Sequence, residues 1–563
     1  MGGSSGLEQF QADSYGKCRI KGVNMAFGRL CLLMMLAGSA GSTPGENKPP
    51  IKVGTDRQLL FDRMFLETSR GIQLRMNKPY QEPVPVLVPD RPWEKHIYRY
   101  LSVTREGDVF RMWYGVWAPR DTGLDEGRKL LCYAESRDGA RWEKPDLGVL
   151  LFKGSKKNNI VGPPLQTDLG RPSARGRAAE KRIAAGLPTD AWAGAGSMSG
   201  GTVFRDDHGS ADERYKLWTK YETGKEDEEQ GIRPGLWAMV SPDGIHWRML
   251  REGYPLNRST ADLPHAGDTQ SIPFWDPDLN KYVGFVRIKK RPPGRGRTTS
   301  VGLITSDDFR NWTLVKEVFA ADQRDEHAPV PGGPPRHRPV VDYYVPGGMK
   351  VPGVPNAYVL LPTAYYHWEE DKFPRNQDVR LATSRDLLNW WQPPEREPFL
   401  RLGPDGTASA GMILANPWLI PVGDELWIYY NGIGVTEKGA HPNTGSFDSG
   451  VFRARFRRDG FVSADASYDG GEFTTPLLTF AGRRLELNLD GSAGGWLQVE
   501  ILSERGTPIP GYDLNACDTI RGNSVRKPVT WQGRDDVSDL AGKPVRLRFV
   551  MRSMKLFAFQ FLE

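Results

Sequence analysis

Ser136-Arg-Asp-Gly-Ala-Arg-Trp142 follows directly on the apolar run Leu130-Leu-Cys-Tyr-Ala134, and the arrangement recurs along the chain. It returns as Ser241-Pro-Asp-Gly-Ile-His-Trp247, Ser306-Asp-Asp-Phe-Arg-Asn-Trp312 and Ser384-Arg-Asp-Leu-Leu-Asn-Trp390. A degenerate copy, Arg457-Arg-Asp-Gly-Phe-Val-Ser463, keeps the Asp-Gly and lacks the Trp. Ser and Asp side chains accept hydrogen bonds from backbone N–H groups one or two residues on, and Gly supplies a positive φ. Each copy therefore reads as a hairpin turn, with the Trp offering a flat apolar face for packing one sheet on the next. Recurring hairpins mean recurring units.

Working outward, each hairpin is preceded by two further strand-like runs. In the first unit these are Tyr98-Arg-Tyr-Leu-Ser-Val103 and Val109-Phe-Arg-Met-Trp-Tyr114, and in the third Gln270-Ser-Ile-Pro-Phe-Trp275 and Tyr282-Val-Gly-Phe-Val286. Four short strands per unit with no helical periodicity predict an all-β fold, a five-bladed β-propeller over 51–475. The long, uneven spacing of the copies places the surplus residues in rim loops. Leu59-Leu-Phe-Asp-Arg-Met-Phe-Leu66 is expected to close the ring by pairing with the last blade. After Thr474-Thr-Pro476 the pattern alternates cleanly through Arg484–Leu489, Gly495–Ile501 and Val545–Val550. That predicts a C-terminal β-sandwich over 476–563. A two-sheet sandwich array is the competing architecture.

The chain has 563 residues, 39% hydrophobic, with 17 Trp, 19 Tyr and 23 Phe, enough for a large core. Its net charge of +6 collects in 171–182 and in Lys289-Lys-Arg-Pro-Pro-Gly-Arg-Gly-Arg297, loop-forming patches without stacked aromatics, so no nucleic-acid partner is expected. Met25-Ala-Phe-Gly-Arg29, then Leu30-Cys-Leu-Leu-Met-Met-Leu-Ala37 and Gly38-Ser-Ala40, has the layout of a secretory signal. Residues 1–50 are therefore read as signal peptide and linker, with Met25 a possible start, and the mature chain as secreted or periplasmic. No apolar run reaches the ~20 residues of a membrane span, so an integral membrane protein is not expected. Cys132 and Cys517, the two cysteines beyond the signal, lie in different parts of the fold and are not expected to pair.

Signal, propeller and C-terminal β-domain together resemble the secreted glycoside hydrolases of the invertase/levanase and arabinanase type. The resemblance rests on the Ser-x-Asp-Gly-x-x-Trp hairpins and on units such as Leu426-Trp-Ile-Tyr-Tyr-Asn431. It implies a carbohydrate substrate and catalysis by carboxyl groups. The Asn-Asp-Pro-Asn, Arg-Asp-Pro and Glu-Cys segments of invertases are absent, so sucrose or fructan cleavage does not carry over. The hairpins also resemble the sialidase Asp-box, without its spacing or an arginine triad.

Glycoside cleavage needs two carboxyl groups flanking the bond, one kept protonated by a desolvated site. Acids on inner strands are the candidates: Asp62 within 59–66, Asp268 before the third unit's first strand, and Asp342 in the middle of Pro339-Val-Val-Asp-Tyr-Tyr-Val345. Arg99, Gln270, Arg336, His337 and Arg338 are the candidate substrate-binding groups. The 336–338 cluster suits an anion, which leaves a phosphorylase open. A non-catalytic glycan- or protein-binding propeller is the alternative from another class. Trp93, Trp117, Trp368 and Trp418 lie where they would either stack on sugar or pack, and Glu369-Glu-Asp371 reads as a solvated rim. The eight His lack ligand spacing, and no Gly-rich loop opens a helix, so neither metal nor cofactor is expected.

Overall fold

The computed structural model describes residues 49–118, 129–152, 155–162, 166–167, 197–198, 200–222, 235–250, 269–290, 298–327, 340–367, 376–435 and 448–563. Among these the fold is nearly all β, and its repeats form a propeller-like arrangement.

The hairpins form by purely local bonding. Ser136 Oγ accepts from Gly139 N (2.9 Å), and Asp138 Oδ1 accepts from Ala140 N and Arg141 N (2.9 and 2.8 Å). The second and fourth copies repeat this pattern from Ser241/Asp243 and Ser384/Asp386. The residue after the Asp is left-handed in all four: φ is 67° at Gly139, 79° at Gly244, 63° at Phe309 and 65° at Leu387. Phe309 and Leu387 adopt this strained region because their side chains are buried.

Each hairpin Trp then packs on the second strand of the preceding repeat. Trp247 joins the cluster of Trp113 and Tyr133. Trp312 meets Trp218 at 4.5 Å and Trp390 meets Phe285 at 5.9 Å. Trp142 meets Tyr429 of the fifth repeat at 5.8 Å, which joins the last repeat to the first. A second seam runs beside it. Tyr215 Oη donates to Glu106 (2.7 Å), Tyr282 Oη to Asp206 (2.6 Å) and Tyr358 Oη to Asp276 (2.5 Å). Each carboxylate lies at or just past the end of a first strand, and each tyrosine at the first or second position of the second strand of the next repeat.

The first, second and third repeats form separate sheets of four, six and four strands. The fourth is divided between a three-stranded sheet and an eight-stranded sheet that also holds the fifth, so four blades rather than five stand apart. The run 59–66 does not close the ring. Only Gln58–Leu59 is strand, and it pairs with Val545–Leu562. Leu59, Leu60, Phe61 and Phe65 are all fully buried, so this stretch lacks the one-sided burial of a blade strand. Tyr80–Gln81 instead pairs with Ser449–Arg457 at the edge of the last repeat.

The C-terminal strands belong to one continuous ten-stranded sheet that also includes Ile51–Gly54, Thr68–Arg70 and Ile72–Met76. This sheet bends back on itself. Ten extended residues span roughly 33 Å, yet the rings of Phe549 and Phe559, on one strand, lie 6.2 Å apart. The reversal falls near Ser553, at φ 47°. Its core runs without a break into the fourth and fifth repeats through Met349, Val359, Ile413 and Ile428. Cys132 and Cys517 are both buried free thiols.

Candidate functional site

The hub is defined by bonds between the first strands. Ser102 Oγ donates to Gly201 O and accepts from Val203 N, both at 2.9 Å, and Thr202 Oγ1 donates to Ser271 O at 2.8 Å. Gly200 allows this close approach: a Cβ there would fall 2.3 Å from Tyr100 O of the first repeat.

Contacts between repeats that are not neighbours must cross the axis. Trp418 of the fifth repeat donates Nε1 to Val203 O of the second (2.7 Å) and packs against three core clusters. It plugs the hub. Tyr100, Val345 and Leu414, from three repeats, form a further apolar floor. Arg99 of the first repeat reaches the fourth, with Nη1 3.3 Å from Tyr344 Oη.

Around Tyr344 the polar groups converge. The Arg287 guanidinium lies 4.7 Å from the ring centroid, and Tyr365 meets the same ring at 5.8 Å. Asp342 shares a strand face with Tyr344, two residues apart, and is register partner to Tyr365. Asp342 is 3% exposed and Arg287 4%. Gln377, fully buried, continues this row as the next partner of Tyr365. One carboxylate, two guanidinium groups and two phenols thus lie near the axis, at the end of the first strands opposite the hairpins. Such a set can hold hydroxyls or an anionic group and can exchange a proton through Asp342.

The sequence-derived candidates divide sharply. Asp342 and Arg99 come together at the hub. Asp62 does not join them: it is ion-paired to Arg385 (2.7 Å) at the hairpin end of the fourth repeat, and Met64 N donates to its Oδ1. Gln270 is buried, with its amide nitrogen donated to Leu101 O (2.8 Å) and Gly201 O (3.1 Å), so it ties strands together. Asp268, Arg336, His337 and Arg338 lie outside the described residues, as do Trp368 and Glu369–Asp371. Trp93 is a packing residue, 8% exposed and donating to Asn159 Oδ1 at 2.9 Å.

Comparison with known proteins adds little chemistry. No family model matches the chain. Two uncharacterized proteins of Mycobacterium tuberculosis, from strains CDC 1551 / Oshkosh and ATCC 25618 / H37Rv, are each 37% identical over 71 residues, 13% of this chain. The chain thus matches about a quarter (24%) of the length of these curated relatives. Among solved structures, a β-1,2-mannobiose phosphorylase from Listeria innocua aligns with 69% of this chain and 98% of its own, at 12% identity and TM-score 0.40. An N-acetylgalactosamine deacetylase from F. plautii aligns with 69% and 96%, at 14% and 0.40. A structure of the GH130 family of mannoside phosphorylases aligns with 73% and 99%, at 14% and 0.39. At these values the likenesses assign no activity here.

Arg287, Tyr344, Tyr365 and the plugging role of Trp418 were not singled out by the sequence. The adjacent signal was the Asp342-Tyr-Tyr344 run, whose alternation places Asp342 and Tyr344 on one face. Among the described residues no cluster of three or more His, Cys, Asp or Glu could hold a metal, and no helix is long and apolar enough to cross a membrane.

Proposed function

We propose that this chain is an exported carbohydrate-active enzyme on a five-bladed propeller, cleaving glycosidic bonds in a poly- or oligosaccharide at the hub. The observation that supports this most is the placement of Asp342: a buried acid on an inner strand, flanked by Tyr344, Tyr365, Arg99 and Arg287, above a plugged axis. In this reading Asp342 is one of the two carboxyl groups and Asp268, just ahead of the third repeat's first strand, is the other. Arg99 and the two tyrosines hold sugar hydroxyls. The fifth blade is argued from the Trp142–Tyr429 contact that continues the seam from last repeat to first. Export is argued from the 25–40 segment.

A phosphorylase is the second reading, favoured by two guanidinium groups beside one tyrosine, a setting that suits inorganic phosphate. The test is reducing-sugar release from a glycan panel, with and without phosphate, by the wild type and Asp342→Asn. Loss of turnover by about 10²–10⁴-fold is expected for the variant. Glycan binding without turnover, unchanged by the substitution, would replace the enzyme by a glycan-binding propeller.

A further inference from the structure

The outer edge of the fourth repeat meets the C-terminal sheet at a cleft of about 350 Å³ that shares no lining residue with the hub site. Its walls come from Ile72–Met76, from Arg63 and Arg324, and from the segment Trp391 to Glu395 beyond the Ser384 hairpin. Trp391 lines the cleft and is only partly buried against the core. Among the described residues, Arg63 and Arg324 line it without a carboxylate partner. Arg324 Nη2 donates to Pro394 O (2.8 Å), and the Arg63 guanidinium has no hydrogen bond or ion pair among the described residues. Glu395 is the one lining carboxylate, so the wall is net positive. Gln392 adds a buried Oε1 with no hydrogen-bond partner among the described residues, while its Nε2 makes a long 3.3 Å bond to Tyr343 Oη.

These features point one way. An unsatisfied buried amide oxygen is costly, and a ligand hydroxyl that reached it would supply the missing hydrogen bond. An indole offers an apolar face to a pyranose ring, and guanidinium groups match carboxylate or sulfate with paired N–H donors. We propose that this cleft is a second carbohydrate-binding site, separate from the hub, that takes an oligosaccharide bearing an anionic group. Choosing a sugar as ligand rests on the hub reading; the aromatic and cationic chemistry does not. The site needs no turnover at Asp342, and it would hold a polymeric substrate on the outer wall.

The full chain is titrated calorimetrically with uronate oligomers, with sulfated oligosaccharides and with neutral oligosaccharides of equal length. Wild type, Arg63→Ala/Arg324→Ala, Trp391→Ala and Asp342→Asn are compared. One anionic arm is expected to bind, and that arm identifies the anion. Affinity should fall about ten-fold or more in the arginine double variant and disappear in Trp391→Ala. It should weaken between about 20 and about 300 mM salt and stay unchanged in Asp342→Asn. Both arginines are exposed, so the double variant tests the site even if Trp391→Ala fails to fold. Equal binding of neutral and anionic sugars, indifference to the arginine double variant, absence of binding in every arm, or loss of binding in Asp342→Asn would each overturn the proposal. The last would place the ligand at the hub, whereas lost turnover with intact cleft binding concerns the hub alone.

Discussion

Tyr282→Phe removes one hydroxyl and nothing else, and it tests whether the repeats are latched to one another. In the intact protein that hydroxyl donates to Asp206, whose side chain is fully buried and also receives Lys216 Nζ at 2.7 Å. Burial first, and the bond to Asp206 second, push the phenol far above its usual range, as expected of a donor committed to a carboxylate. A hydrogen bond to a charged group is worth about 1.5–3 kcal/mol. Because Lys216 still holds the carboxylate after the substitution, the cost should sit near 2 kcal/mol, a factor of about 30 in the unfolding equilibrium. Tyr358→Phe should cost about the same, since Asp276 is equally buried and keeps Lys350 at 3.2 Å. Tyr215→Phe should cost less, about 0.5–1 kcal/mol. There the Glu106 side chain is 17% exposed, so water can take the place of the hydroxyl. Urea unfolding followed by tryptophan fluorescence measures all three. The two interior losses should add in the double variant, since they lie at separate seams. If neither interior change exceeds about 0.5 kcal/mol the latch has no energetic role, and if Tyr215→Phe costs as much as Tyr282→Phe the burial argument fails.

Asp62→Asn should lower stability by about 1 kcal/mol through loss of its partly exposed pair with Arg385, and leave glycan turnover at the wild-type rate in the same assay that reads Asp342→Asn. Phe309→Gly relieves left-handed strain of about 1 kcal/mol but deletes a fully buried ring worth about 3 kcal/mol or more, so a net loss should appear as a lowered melting temperature. Partial burial alone would raise the carboxyls of Asp243 and Asp308, yet backbone N–H groups of their own hairpins hold both at about 2. A depressed folded-state pKa gives stability that is present above the ordinary carboxylate range and lost as pH falls toward about 2. Asp243→Asn/Asp308→Asn should therefore flatten the acid limb of the stability profile, measured by circular dichroism, with little change of slope near neutrality.

The hairpins were legible in the sequence because their bonds close within three residues: Ser and Asp side chains reach N–H groups fixed by covalent connectivity. The tryptophan seam was legible for a related reason, since each ring follows its hairpin at a constant spacing. Asp62 shows where such reading stops. Its flanks, Phe61 and Phe65, have the composition of a blade strand, but they are buried on both sides in a core shared with strands some 490 residues later, such as that of Phe559. Nothing local distinguishes burial in one core from burial in another. Asp342 carried the opposite uncertainty: its alternation gave a face, but not what that face met. The approach of Arg99 and Arg287 to Tyr344 decided that, and those groups come from three repeats with no sequence relation to one another. Local chemistry, fixed by neighbours along the chain, determined the turns and the repeat. The hub, the plug at Trp418 and the choice among acids depended on contacts across the ring, which exist only once burial has brought distant strands together.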